Sequence, residues 1–153
     1  AAQLRGFKLI LDTSADFVPD LLKYRPYLIK PNDEELAEWF GLINPSLEEI
    51  KDCGQKLLEK GAENVLVSLG EKGAILFTPT ETIHVTAPKG EVVNTACAGD
   101  TLLATFVGSQ LLGLSDEQAL IKAVAAGSST AFRPGLTDFS DVPTLMQQIK
   151  RIS

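Results

Sequence analysis

The stretch from Val92 to Leu112 places small residues directly before a carboxylate, an arrangement that could bind an anion. Two β-branched residues end an extended segment, and a small-residue turn from Ala96 to Gly99 leads into an apolar helix. Unpaired amides and the positive end of the helix dipole favour an anion at such a turn, where Asp100 could serve as a base. The same spacing also fits an ordinary loop-to-helix junction whose acidic residue only stabilises the helix.

The apolar residues after this turn have helical spacing. Separations of three and four positions form the stripe that a helix buries against a neighbouring layer. We therefore predict a helix that packs through five residues: Leu103, Phe106, Val107, Leu111 and Leu114.

Composition and charge argue against several classes of protein. The 153 residues are 44% hydrophobic and 22% charged, which is typical of a globular domain with a core of its own. A net charge of −6 without a Lys/Arg cluster argues against nucleic-acid binding. No apolar run approaches the roughly 18 residues that span a membrane, and the first residues lack the apolar segment of a secretory signal.

The histidine and cysteine content gives little support to a zinc site. His84 lies in an alternating extended stretch and is interpreted as a surface residue of a strand. Cys53 and Cys97 are far apart, and no C-x-x-C pattern occurs. We therefore expect two free thiols and a cytoplasmic protein without nucleic-acid or membrane partners.

Alternating strand and helix signals predict an α/β fold with helices flanking a mostly parallel sheet. The elements are predicted in the order βαβαα–βββ–αα without a repeat or linker, so residues 1–153 are expected to form a single α/β domain. Ala1–Arg5 reads as the last turn of a helix whose beginning is absent, which indicates a fragment. The predicted strands are Phe7–Leu11, Tyr27–Ile29, Val65–Leu69, Ala74–Phe77 and Thr82–Thr86.

Local signals also predict where the other helices begin and end. Asn or Ser followed three residues later by Glu or Gln can form a capping box, and a glycine often follows the last turn. These signals predict helices from Asn32 to Gly41, from Ser46 to Gly61 and from Ser115 to Ala131, with a short one opening at Pro143.

Polar segments follow several of the predicted strands. In open α/β sheets, ligands bind at the carboxyl ends of the strands, so these segments are expected to share one edge. They are Asp12-Thr13-Ser14, Lys30-Pro31-Asn32, Ser68-Leu69-Gly70 and Thr95 to Asp100.

Two familiar phosphate-binding motifs, G-x-x-x-x-G-K-[ST] and G-x-G-x-x-G, do not occur here. Asn94–Asp100 instead has the form (D/N)-T-x-G-A-G-D with one change, and Asn32 with Glu35 has the form N-x-x-E. Val67–Gly70 with Gly73-Ala74 has the pattern of a nucleotide loop. Through these motifs the chain resembles the C-terminal half of a ribokinase-family sugar kinase of the phosphofructokinase-B branch.

Three further segments, Asp12–Ser14, Lys30–Asn32 and Ala125–Ser128, are similar to the subgroup that phosphorylates sugar phosphates, such as 1-phosphofructokinase and tagatose-6-phosphate kinase. The resemblance implies the C-terminal part of a ribokinase-like, three-layer α/β/α fold with a Rossmann-like sheet. It implies an ATP-dependent phosphotransferase converting fructose 1-phosphate to fructose 1,6-bisphosphate. The alternatives are a tagatose-6-phosphate kinase, a nucleotide-binding fragment without catalysis of its own, and a purely structural domain.

The resemblance also assigns catalytic roles by position. Asp100 would accept the proton of the sugar hydroxyl, and the amides of Cys97, Ala98 and Gly99 would form an anion hole for the transferring phosphoryl group. These roles agree with the chemistry, because phosphoryl transfer depends on positioning and on stabilising the charge of the equatorial oxygens.

The implied cofactors are Mg²⁺ and ATP. Asn32 and Glu35 would hold Mg²⁺ chiefly through water, a role that can coexist with helix capping. The ATP-binding residues implied are Ser68, Leu69, Gly70, Glu71, Lys72, Gly73, Gly99, Asp100, Val124 and Gly127. Among them, Lys72 also fits the alternative of a solvated lysine in a turn, and Val124 and Gly127 also fit plain helix packing.

The chain departs from the family pattern in three respects. Cys97 replaces the first glycine of G-A-G-D, so its Cβ narrows the anion hole and disfavours a positive φ. Ala15 replaces a glycine after Asp12–Ser14, with a similar penalty. The N-terminal half, which in this family carries most sugar-binding residues and the lid strands, is missing. Because family members often pair through that lid, the resemblance admits a homodimer of the full-length protein without implying one for this chain.

Overall fold

The computed structural model describes residues 10–11, 22–93 and 97–152. The chain groups into two compact units. The first contains the described residues up to Leu69 together with Ile75–Thr82, and the second contains Gly70–Ala74 and the described residues from Ile83 onward. Among the described helices, none is both long enough and apolar enough to cross a membrane.

Five short strands form one sheet in the order β1-β2-β3-β4-β5. Strand β1 runs parallel to β2, with Ile10 opposite Leu28, and β2 runs parallel to β3, with Ile29 opposite Val65. The buried apolar residues of β2, β3 and β4 form nearly continuous runs, as expected for strands covered on both faces. The strands are β1 (Ile10–Leu11), β2 (Leu28–Ile29), β3 (Val65–Ser68), β4 (Ala74–Phe77) and β5 (Thr82–Val85).

Capping boxes begin three of the helices, as the sequence predicts. In each, the N-cap side chain accepts a hydrogen bond from the backbone of the third helical residue, whose side chain accepts one from the N-cap backbone. The pairs are Asn32 with Glu35, Ser46 with Glu49 and Ser115 with Gln118. The helices are α1 (Asp33–Phe40), α2 (Leu47–Lys60), α3 (Ala98–Leu111), α4 (Asp116–Ala131) and α5 (Val142–Met146).

The core of the first unit joins α1 and α2 to the strands beside them. Leu36 of α1 and Leu57 of α2 are buried in the same apolar cluster as Val65 of β3. Trp39 and Phe40 are partly buried against this cluster. The apolar residues of α1 therefore form the face that packs on the core of the first unit.

The predicted buried face of α3 is largely wrong. Phe106 is fully buried, but Leu111 is 79% exposed, and Leu103, Val107 and Leu114 are only partly buried. Because α3 is apolar around much of its circumference, the apolar spacing does not select a face. Its small polar residues permit close helix contact, and the buried positions are Leu102, Thr105, Phe106 and Ser109.

The prediction that His84 is a surface residue is also wrong, since it is 3% exposed. C-terminal residues cover the edge of β5. Val85 pairs with Arg151 in an antiparallel bridge, and the amide of Ile152 donates to the carbonyl of His84 at 2.8 Å. The His84 Nε2 lies 3.4 Å from the carbonyl oxygen of Lys72. Contacts of His84 with the Lys72 carbonyl and with Ile152 join residues far apart in the sequence, so alternation along one strand does not reveal them.

Several predicted features lie outside the described residues. They are the helix turn at Ala1–Arg5, the first part of the strand Phe7–Leu11, the segment Asp12–Ser14 with Ala15, and Asn94–Ala96 of the motif that leads into α3.

Candidate functional site

At the N-terminus of α3, backbone amides have no acceptor among the described residues. Cys97 precedes the helix and makes no side-chain cap, and the first helical bond runs from the Thr101 amide to the Cys97 carbonyl at 2.9 Å. Within the described part of the chain, the amides of Cys97, Ala98, Gly99 and Asp100 donate to no protein group. These are the four donors that a helix leaves unsatisfied, so this turn can accept an anion.

Asp100 lies in the first turn of α3 and is exposed to solvent. Its carboxylate makes no hydrogen bond or ion pair with the described residues. The structure thus places a carboxylate without a described partner directly at the end of the open amides. That is the arrangement required of a base beside a bound anion.

The expected backbone penalty at Cys97 is wrong. Cys97 has φ −111° and ψ 0°, a conformation open to any L-residue. A glycine is therefore not required there for backbone reasons. The thiol remains partly exposed at the turn, so its bulk is the remaining difference from the family motif.

Helix α4 supports the first turn of α3 through Gly127. A Cβ added at Gly127 would lie 3.1 Å from the Ala98 carbonyl oxygen and 3.3 Å from the Cβ of Leu102. Gly127 and Val124 are both buried. Helix packing alone explains the glycine, and the contact of Val124 and Gly127 with adenine stays a prediction.

Two threonines that the sequence analysis did not single out also adjoin this turn. Thr101 Oγ1 donates to the Cys97 carbonyl at 2.9 Å, and Thr130 Oγ1 donates to Thr101 Oγ1 at 3.2 Å. Thr101 could have been noticed, because a helical threonine often bonds the carbonyl four residues back. No local signal points to Thr130, which reaches Thr101 only through the packing of α4 on α3.

The predicted nucleotide loop continues as a single 3₁₀ turn, Gly70–Lys72, in the second unit. Gly70 and Gly73 have φ +61° and +98°, and a Cβ on Gly73 would lie 1.9 Å from the Val85 carbonyl oxygen. Glu71 and Lys72 are exposed. The turn therefore holds its backbone close to β5 while leaving the side chains between the two glycines in solvent.

The first unit brings together Asn32 and the beginning of the predicted nucleotide loop. Asn32 and Ser68 form a parallel bridge, and the Ser68 amide donates to the Pro31 carbonyl at 3.1 Å. Asn32 lies beyond the end of β2 and Ser68 is the last residue of the adjacent parallel strand β3, so both lie at carboxyl ends of strands, as predicted, whereas Leu69 is buried. Asn32, Glu35 and Ser68 therefore share the edge of the sheet where α/β proteins bind ligands.

The geometry of Asn32 and Glu35 fits a weakly held Mg²⁺. Asn32 Oδ1 accepts from the Glu35 amide at 2.7 Å, and Glu35 Oε1 accepts from the Asn32 amide at 3.1 Å. Glu35 Oε2 is not used by this capping box. The described residues contain no group of three His, Cys, Asp or Glu side chains that could hold a metal. One spare carboxylate oxygen suits Mg²⁺ that keeps most of its water and binds substrate phosphates.

Comparison with known proteins agrees with these features. The family model described as "pfkB family carbohydrate kinase" matches residues 1–144. D-tagatose-1-phosphate kinase from Bacillus licheniformis is 53% identical over 144 residues, which cover 94% of this chain and 47% of that protein. The 1-phosphofructokinase of Bacillus subtilis is 37% identical over 150 residues, covering 98% and 50%, respectively.

A solved structure shows the same fold. Arabidopsis thaliana ribokinase, complexed with ribose and ATP, matches with a TM-score of 0.80 and 32% identity over 93% of this chain and 48% of that one. The chain spans about half the length of the relatives it matches. Its fold is ribokinase-like, as the motifs predicted. With the family match extending over nearly all of its residues, the chain belongs to the pfkB family of carbohydrate kinases.

Proposed function

We propose that the full-length protein transfers the γ-phosphoryl group of ATP to a hydroxyl of a ketohexose 1-phosphate. The names of the two relatives support this substrate class, since both denote a ketohexose that carries phosphate on C1. Fructose 1-phosphate, giving fructose 1,6-bisphosphate, and tagatose 1-phosphate are the two acceptors within it. Tagatose 6-phosphate is the alternative acceptor outside it.

Asp100 is the base in this proposal. It takes the proton of the sugar hydroxyl while the hydroxyl oxygen bonds to the γ-phosphorus. The bond from that phosphorus to the bridging oxygen breaks, and ADP leaves with the electron pair. Because a loose transition state releases the hydroxyl proton late, an exposed carboxylate is basic enough for this step.

The amides of Cys97, Ala98 and Gly99 stabilise the phosphoryl oxygens in the transition state. One observation carries the proposal: these amides have no acceptor among the described residues, while a free carboxylate follows them directly. Donors fixed in advance toward developing charge contribute about 10²–10³-fold each in other enzymes. The positive end of the α3 dipole adds to the same field.

Residues Ser68 to Gly73 bind the ATP phosphates and ribose, and Val124 and Gly127 lie near adenine. Asn32 and Glu35 hold Mg²⁺ largely through water. When bound, the ion neutralises charge on the β- and γ-phosphate oxygens. Glu35 contributes its uncommitted oxygen, and its capping bond keeps the side chain at the strand edge.

The chain supplies the C-terminal, nucleotide-binding half of the kinase as one α/β domain, and it is inactive alone. The assignment as an inactive half follows from the family resemblance, in which the other half carries most of the sugar-binding residues, and the resemblance also admits a homodimer of the full-length protein. From the charge, hydropathy and cysteine content, we place the full-length enzyme in the cytoplasm, binding neither nucleic acid nor membrane.

The test is a coupled assay of ADP release by the full-length protein with fructose 1-phosphate, tagatose 1-phosphate and tagatose 6-phosphate. Asp100→Asn is expected to lower kcat by about 10²–10⁴-fold while ATP affinity survives. Asp116→Asn, the same change in the first turn of α4, is the matched control and should keep near-normal kcat. Near-normal turnover by Asp100→Asn would remove Asp100 as the base.

A second candidate function is nucleotide binding without catalysis. The partly exposed Cys97 favours it, since a side chain is present where the family motif has glycine and would narrow the anion hole. Under this alternative, the wild-type protein binds ATP–Mg²⁺ but turns over none of the three sugars. Cys97→Gly would then create activity. Turnover by the wild-type protein would exclude this alternative.

A further inference from the structure

A chain of hydrogen bonds leads from a surface loop to the turn before α3. The amide of Thr137 donates to Thr130 Oγ1 at 3.2 Å, and Thr130 Oγ1 donates to Thr101 Oγ1 at 3.2 Å. Thr101 Oγ1 in turn donates to the carbonyl oxygen of Cys97 at 2.9 Å. We call these bonds the threonine relay.

The two ends of the threonine relay fix its direction. An amide only donates and a carbonyl only accepts, so each of the two hydroxyls must accept from one side and donate to the other. Thr130 is fully buried, so its hydroxyl has no water to exchange with. Donor–acceptor chains of this kind strengthen each member through mutual polarisation.

The outer end of the threonine relay is held firmly. Thr137 Oγ1 lies 2.6 Å from Ser129 Oγ, which also donates to Asp141. Arg133 binds the same carboxylate of Asp141 at 3.1 Å and donates from Nε to the Ser129 carbonyl at 3.1 Å. The loop that supplies the Thr137 amide is therefore tied to the end of α4.

The inner end of the threonine relay controls one of the open amides. The carbonyl of Cys97 and the N–H of Ala98 belong to the same planar peptide group and point in opposite directions. The Cys97 carbonyl accepts from both Thr101 Oγ1 and the Thr101 amide, each at 2.9 Å. Two donors on this oxygen fix the peptide plane and so aim the Ala98 N–H out of the helix end.

We infer that Thr101 and Thr130 are positioning residues for phosphoryl transfer, which they serve by holding the Cys97–Ala98 peptide so that the Ala98 amide points at the transferring group. This inference rests on the proposed function. Neither threonine touches the substrates. They act by fixing the direction of the Ala98 N–H group. The stabilisation that this donor gives depends on its distance from the charge that develops on the phosphoryl oxygens.

The experiment compares Thr101→Val and Thr130→Val with the Ser variant at each position, in the full-length protein. Valine keeps the shape of threonine and removes its hydroxyl, whereas serine keeps the hydroxyl. Thr105→Val is the matched control, since Thr105 is a buried threonine one turn further along α3 and outside the threonine relay. Steady-state kinetics give kcat and the sugar KM, and calorimetry gives the affinity for ATP–Mg²⁺.

We expect Thr101→Val to lower kcat about 10-fold or more and Thr130→Val about 3- to 10-fold, with sugar KM and ATP affinity within about 3-fold of wild type. The serine variants and Thr105→Val should stay within about 2-fold of wild type in kcat. Because the two hydroxyls act in series, the double valine variant should be no slower than Thr101→Val.

Unchanged kcat in Thr101→Val, or multiplicative losses in the double variant, would overturn the inference. So would a serine variant as slow as its valine counterpart. If Thr130→Val does not fold, Thr101→Val against Thr101→Ser decides the matter. Failure of the proposed function is distinguishable, because the wild-type protein itself would then phosphorylate no sugar.

Discussion

Replacing Gly73 with alanine should strongly destabilise the protein, whereas the same change at Gly70 should cost much less. A Cβ on Gly73 would lie 1.9 Å from the Val85 carbonyl oxygen and 2.9 Å from the carbonyl carbon of Thr86. Both neighbours are backbone atoms, so the turn or β5 would have to move by about 1 Å or more to restore contact distance. The φ of +98° adds strain for any L side chain.

The two positions differ enough to give distinct magnitudes. Backbone strain of about 1–3 kcal/mol combines at Gly73 with overpacking of about 1–3 kcal/mol. The sum, about 2–6 kcal/mol, is a large fraction of the free energy of unfolding of a typical protein, about 5–15 kcal/mol. Gly70 has φ +61° but no atom within 4 Å of its Cβ position, so its alanine variant should cost only about 1–2 kcal/mol.

The assay is urea-induced unfolding of the full-length protein, followed by circular dichroism. Gly70→Ala is the matched control, and because it should stay folded, its ATP affinity also reports whether phosphates approach this turn closely. Equal unfolding midpoints for Gly73→Ala and Gly70→Ala would refute the packing argument. The close contact between the turn and β5 would then not constrain residue 73.

Two further predictions concern carboxylates. Glu35→Gln should keep the capping bond and leave the unfolding free energy within about 0.5 kcal/mol of wild type, because Gln also completes a capping box. It should nevertheless raise the Mg²⁺ concentration needed for half-maximal activity, since a carboxylate oxygen is lost. An unchanged Mg²⁺ requirement would contradict a metal role for Glu35. Asp138 accepts hydrogen bonds from the Ser140 hydroxyl and amide and lies near Arg133, which together lower its pKa to about 2 from 3.8. A lowered pKa means that the ionised form is favoured in the fold, so this stabilisation is present above pH 3.8 and disappears as the pH falls through 2. Asp138→Ala should therefore lower Tm at pH 6 and lower it much less near pH 2; an equal loss of Tm at both pH values would contradict the assignment.

Features with local causes could be predicted from the sequence. The capping boxes at Asn32, Ser46 and Ser115 depend on residues three positions apart, and all three occur as predicted. The same holds for the helix end at Gly41, where a left-handed residue closes α1. The order of strands and helices follows from such signals, because each depends on a few neighbouring residues.

Features that depend on distant partners could not be predicted in this way. His84 is buried, its ring lies beside the Lys72 carbonyl, and its backbone accepts a hydrogen bond from Ile152; the alternating pattern of the strand contains no signal for these distant partners. The buried face of α3 is set by α4, with Gly127 under Ala98, rather than by the apolar spacing of α3 itself. Thr130 likewise reaches Thr101 only across the contact of two helices.

Some features of the candidate site could likewise be predicted from the sequence, and others could not. The open amides and Asp100 follow from small residues at a helix start, which the sequence displays. The negative φ of Cys97 could not be predicted, because the family pattern has glycine at that position and suggested a strained backbone. A turn that needs no glycine there leaves the amide of Cys97 usable as a donor.

The central claim is that the amides of Cys97, Ala98 and Gly99 bind the transferring phosphoryl group beside Asp100. Its most direct test is a crystal structure of the full-length protein with ADP, Mg²⁺, aluminium fluoride and a ketohexose 1-phosphate. We expect fluorides within about 3 Å of these amide nitrogens and the acceptor hydroxyl within about 3 Å of the Asp100 carboxylate. Aluminium fluoride bound away from the α3 N-terminus, or Asp100 directed away from the hydroxyl, would contradict it.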